Sequence, residues 1–141
     1  MGTISKNFSY REFEASAIAT ERGICNIITS FEVRDSIKTL VLNVLQPLRD
    51  AWGKPLKINS GYRCPELNKL VSRASNSQHM KGEAADVASD NPYELAKLAK
   101  ELNMPFDQMI LYPTFVHFSH KLKGPQRGYI GYDESYKGKR L

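Results

Sequence analysis

Cysteine is nearly absent from this chain of 141 residues: Cys25 and Cys64 are its two examples. Two thiols make no disulfide framework, and their spacing matches no zinc knuckle, so a stapled mini-domain and a thiolate metal site are both disfavoured. The expectation is two buried thiols in a reducing cytoplasm. Long apolar runs are also missing, which excludes a membrane-spanning helix of about 20 residues. The start, "MGTISKNFSYREFE", lacks a basic stretch followed by an apolar one. Synthesis in the cytoplasm without a signal peptide is therefore expected, with any action outside the cell depending on another route of release. Repeats and linkers are absent too. One domain over residues 1–141, able to bury its own core, is the expectation.

Acidic residues are outnumbered. Twenty Lys and Arg against 15 Asp and Glu give a formal net charge of +5. Such a balance favours anionic partners such as nucleic acid, phospholipid or an acidic wall polymer, although a solvated basic surface gives the same count. No recognised nucleic-acid motif accompanies the charge, so nucleic-acid binding is the weaker reading. Part of the excess lies in "HKLKGPQRGYIGYDESYKGKRL", which has little periodicity. From about residue 121 the chain is expected to be loop or a loosely attached tail.

Helical signals fill the first half. "SYREFEASAIATERGI" predicts one short helix with Ser9 as N-cap, Glu12 completing a capping box and Gly23 as the stop. Ile37, Leu40, Val41, Val44, Leu45, Leu48 and Trp52 share one face of a longer helix that Pro47 should kink or restart. "LKINS" reads as a strand, "PELNKLVSRA" as a helix and "EAADVAS" as a strand. "DNPYELAKLAKELN" is a capped helix, and "QMILYPTFVHFS" two strands around Pro113-Thr114. Helices early and strands late define an α+β fold with a small antiparallel sheet and helices on one side. A two-residue turn at Pro113-Thr114 would put Ile110 opposite His117 and Tyr112 opposite Phe115. His117 would then point away from the core.

Histidine is rare, with three in all. His79 in a loop, Asp86 in the next strand and His117 offer two imidazoles and a carboxylate. That donor set leaves a fourth position open, as in catalytic rather than structural zinc sites. Gly82 allows a sharp turn between the first two. Taken alone, the same residues also fit a surface histidine and a turn aspartate.

A wider constellation narrows the choice. "SGYR" 60–63, "SQHMKGEAAD" 77–86 and "FVHFS" 115–119 occur in the order of the zinc D-Ala-D-Ala carboxypeptidase and peptidoglycan peptidase family, the M15 peptidases. The chain resembles the compact branch common in phages and prophages over roughly residues 8–120. The resemblance implies a Hedgehog/DD-peptidase-like fold and a Zn2+ ion on His79, Asp86 and His117, with His120 outside the pattern. It also implies an arginine, Arg63, that holds a substrate carboxylate or the polarised carbonyl, and Ser77 as a substrate-side or supporting hydrogen-bonding residue. Gln78 is unassigned. Peptidoglycan stem peptide is the implied partner, and a monomer acting at the cell wall the implied state.

One position departs from the family. A glutamate or aspartate is usual a few residues before the last histidine, and here that place holds Tyr112. Asp107 points away by parity, and Glu83 sits in a variable slot. Tyr112 could serve as electrophile or proton donor, but a phenol titrating near ~10 is a poor base at neutral pH. Two functions follow as expectations: a zinc peptidase cutting amides that involve D-alanine, or a zinc-binding wall module with slow or no turnover.

Overall fold

The computed structural model describes residues 2–141; Met1, the first residue of the expected domain, lies outside them. A short antiparallel hairpin comes first, β1 (Thr3–Ser5) and β2 (Phe8–Ser9). The single helix expected next is two, α1 (Tyr10–Glu14) and α2 (Ala17–Arg22). The expected start holds, since the Ser9 N–H donates to Glu12 Oε1 at 2.9 Å. The break falls at Ser16, whose Oγ accepts the Ala19 N–H at 3.1 Å and caps a new helix. Gly23 ends the second helix as anticipated.

The strongest apolar stripe builds α3 (Phe31–Leu40) and α4 (Gln46–Trp52), joined without a loop by a π-helical turn at Val41–Leu45. Pro47 accounts for the junction. Lacking an N–H, it cannot continue the i→i−4 ladder, so it sits in the first turn of α4. Just before it the ladder widens, with the Gln46 N–H donating to the Val41 carbonyl.

The remaining elements are β3 (Ile58–Ser60), α5 (Pro65–Val71), a 3-10 turn (Gln78–Lys81), β4 (Ala84–Ala88), α6 (Pro92–Glu101), β5 (Gln108–Leu111), β6 (Phe115–Ser119) and β7 (Tyr129–Tyr132). The main sheet runs β3-β4-β6-β5-β7. Ile37, Leu40, Val44 and Leu48 of the long helix pack on Ala85, Val87, Met109, Leu111, Val116 and Phe118 of the sheet. Each large side chain buried there contributes roughly 1.5–3 kcal/mol. The α+β fold with helices on the core face is as expected, and the other face of the sheet is left free for a site.

Two expectations need correction. The stretch after residue 120 is not a loose tail. Its strand β7 pairs with β5, in parallel, at the sheet edge, and Tyr136 is buried in the core cluster. The sheet is therefore mixed rather than purely antiparallel. The anchor is Asp107, with no exposed surface. Its carboxylate accepts from Arg127 at 2.6 Å through Nη2 and at 2.8 Å through the backbone N–H. Periodicity cannot register a segment held this way. Second, the thiols are not both buried: Cys25 is exposed and Cys64 half-buried.

Burial alone would raise the Asp107 carboxyl, but the Arg127 hydrogen bonds outweigh it and bring it down to about 2. A depressed carboxyl stabilises the fold above its unfolded value near 4 and loses that contribution as pH falls toward 2. Asp107→Asn is expected to lower the unfolding free energy at pH 7 by roughly 2 kcal/mol. Urea titrations at a series of pH values should show the gap to the native chain closing between about pH 4 and 2. A gap that ignores pH would rule out the ion pair as its source.

Candidate metal centre

Strand pairing assembles most of the site. Asp86 on β4 lies directly opposite Ser60 on β3 and His117 on β6, and His117 lies opposite Ile110 on β5. The neighbours Ala85 and Val87 turn into the core. Alternation therefore sends Asp86 and His117 out of the opposite face, side by side. The hairpin register is the one the two-residue turn predicts, and the Tyr112 N–H donates to the Phe115 carbonyl at 3.0 Å.

His79 arrives from the 3-10 turn. Ser77 caps that turn by accepting the His79 N–H at 3.2 Å, and Gly82 closes it at φ 75°. A Cβ at position 82 would lie 2.6 Å from the Val33 carbonyl oxygen, so the turn and α3 can meet only over a glycine. His79 Nδ1 lies 2.7 Å from the Gly61 carbonyl. A carbonyl only accepts, so Nδ1 carries the proton and Nε2 is left as the donor atom for a ligand. Gly61 is also constrained, because a Cβ there would sit 2.6 Å from the Phe13 ring.

The three side chains converge. Asp86 Oδ1 is 2.9 Å from His117 Nδ1 and 3.4 Å from His79 Nε2, and one ligand atom from each residue lies within 4.8 Å of the others. Ligands of a tetrahedral ion at about 2.1 Å stand about 3.4 Å apart, so small side-chain adjustments suffice. Burial favours a neutral Asp86, yet the His117 hydrogen bond and then the neighbouring His79 hold its carboxyl well below the usual range. Burial also lowers His79, which keeps the ring neutral and able to ligate. An ionised carboxylate and neutral imidazole are the forms that bind a divalent cation. The donor set fits a zinc-type ion.

Arg63 borders this centre. Its Nη2 makes a long 3.5 Å contact to Asp86 Oδ2, its Nε donates to Ser60 Oγ at 3.1 Å, and its backbone N–H donates to the His79 carbonyl at 3.1 Å. Tyr112 stacks on Phe115 with ring centroids 4.2 Å apart. Burial and then the charges of Asp86 and Asp133 raise its phenol, with Arg63 opposing, so it stays protonated at neutral pH. The other carboxylates considered are already engaged. Asp107 is held by Arg127 as described, and Glu83 accepts from Gln78 Nε2 at 3.3 Å and the Leu122 N–H at 3.1 Å. His120 is buried outside the cluster, its Nδ1 without a hydrogen-bond partner among the described residues.

Some supporting residues escaped the sequence. Asn26 donates to the Glu14 and Tyr62 carbonyls and accepts the Cys64 N–H at 2.8 Å, pinning the turn that carries Arg63. A lone asparagine gives no signal of this. Gln78 bridges Glu83 and Asp107, and so links the His79 turn to the anchor of the C-terminal strand.

Fold and site together bring His79, Asp86 and His117 to one point as a group that could hold a metal ion. Comparison with known proteins agrees. The family model for peptidase M15 matches residues 6–120, and the chain belongs to that family. It is 35% identical over 86 residues to the zinc D-Ala-D-Ala carboxypeptidase of Streptomyces albus G, a match covering 59% of this chain and 34% of that protein. The chain thus aligns with about a third of the relative's length.

His79→Ala or Asp86→Ala is expected to weaken zinc binding by at least about 100-fold, since even residues behind the ligands are worth 10–100-fold. Competition titration against a chromophoric chelator reads this directly. Affinity unchanged in both variants would place the ion elsewhere.

Proposed function

We propose that this protein is a zinc-dependent peptidase that hydrolyses amides involving D-alanine in peptidoglycan stem peptides. The observation that carries the reading is the convergence of His79, Asp86 and His117 beside Arg63 in a chain of the peptidase M15 family. His79, Asp86 and His117 would hold a zinc ion, which would supply Lewis acidity toward a carbonyl and lower the pKa of water toward neutral pH.

The chain's own groups do the rest. Arg63 is a permanently charged planar fork and binds the anionic end of the peptide, or the oxygen that gains charge as water adds. Ser77 holds the turn that aims His79 and stands at the substrate side of it. The water oxygen bonds to the carbonyl carbon and gives up a proton to solvent, the C–N bond breaks, and a proton must reach the departing amine. Tyr112, protonated and close enough to Asp86 and Arg63 to feel their charges, donates that proton and is replenished from solvent. The positively charged surface keeps a monomer near an acidic wall. Carboxypeptidase and cross-link endopeptidase action both fit this scheme, as does service as a phage-type lysin once released to the wall.

A second reading rests on one observation: Tyr112 stands where the family carries a carboxylate, and Glu83 and Asp107 are tied up elsewhere. In that reading the protein binds zinc and wall peptide with little turnover.

Zinc-loaded protein incubated with purified peptidoglycan should release new free amines, and chelation should stop release until zinc is restored. Tyr112→Phe should lower kcat on the order of 10²-fold with metal content unchanged. No amine release under any metal would leave only the binding module. Unaltered kcat in the phenylalanine variant would remove Tyr112 from the chemistry.

A further inference from the structure

A cavity of about 680 Å³ opens beside the metal centre, with His117 and Ile110 in its lining. That volume suits several residues of a peptide. Lys121, Leu122, Lys123 and Arg127 of its lining come from residues beyond 120, the part of the chain outside the family match. Four cations line it, Lys81, Lys121, Lys123 and Arg127, against two carboxylates, Glu32 and Glu83.

These charges are not equivalent. Arg127 is committed to buried Asp107, and Lys121 Nζ lies 3.8 Å from the same carboxylate. Glu83 is occupied by Gln78 and the Leu122 N–H. Among the described residues, Lys81 and Lys123 make no ion pair, and both are exposed. Lys81 follows His79 in the 3-10 turn, while Lys123 is carried by the segment that Asp107 and Arg127 fasten down. The lining therefore joins His117 of the ion site to two uncommitted ammonium groups, with Glu32 as an acid outside any ion pair among the described residues. Unpaired positive charge on the lining of a peptide-sized cleft favours a negative group on the occupant.

We infer that the C-terminal segment makes this cleft a carboxylate-selective subsite, in which Lys81 and Lys123 take a free carboxylate on the substrate peptide some residues away from the scissile amide. The inference rests on the peptidase reading and narrows it: the preferred substrate is an acidic peptide, and the same peptide amidated at that carboxylate is a poor one.

The test uses full-length zinc-loaded protein and two D-alanine-containing peptides that differ in one feature, a free or an amidated acidic side group. Binding is measured by fluorescence anisotropy, and cleavage by amine release in parallel. The free-carboxylate peptide should bind about three- to tenfold more tightly at low salt, the size expected of two exposed charge pairs. K81A/K123A should remove that preference while metal content stays the same. Equal binding of the two peptides, or a preference that survives in K81A/K123A, overturns the inference. Failure of the peptidase reading looks different: carboxylate preference is present, and neither peptide is cut.

Discussion

The cross-strand pairing of Asp86 with His117 is the constraint from which the site follows. Because β4 and β6 are central in the sheet, their register is locked by Ala85, Val87, Val116 and Phe118 packing against the long helix. A slip of one residue would turn both ligands into the core and bring apolar side chains out. Core packing energy therefore guards the geometry of a polar site it never touches. His79 is the one ligand not placed by the sheet, and it is held in compensation by a short capped turn, a glycine pressed against α3 and the Gly61 carbonyl.

The centre is also prepared electrically. Burial by itself would disfavour a charged Asp86, yet the two neighbouring imidazoles keep it ionised. The same groups that stabilise the carboxylate are those an ion would be shared with, so little reorganisation stands between this arrangement and a loaded one. Arg63 is built in from both ends, through Ser60 to the sheet and through its backbone to the His79 turn. Arg63 and the candidate ion site are thereby joined by hydrogen bonds.

Much of this was legible in the residues. Strict alternation in "FVHFS" and the short Pro113-Thr114 turn gave the hairpin register and the outward aim of His117, because strand parity is a local property. The apolar stripe from Ile37 to Trp52 gave the core helix for the same reason. What stayed hidden depends on single side chains bonding across long sequence separations. Asp107 with Arg127 turns an apparently formless Gly- and Tyr-rich stretch into a fifth strand, and Asn26 secures the Arg63 turn. No periodicity marks either one. Ser16 split an expected helix through a cap that competes with continuation, a choice decided by one hydroxyl. The place of Tyr112 on the site face was legible, while the rise of its phenol depends on burial and on the charges of Asp86 and Asp133.

The central claim is that one ion sits on two imidazole nitrogens and one carboxylate oxygen. X-ray absorption at the zinc edge of the stoichiometrically loaded protein tests it most directly. The account predicts one zinc per chain with nitrogen and oxygen neighbours at about 2.0–2.2 Å and imidazole scattering from two rings. Sulfur neighbours near 2.3 Å, from Cys25 or Cys64, or scattering from fewer than two imidazoles, would contradict it.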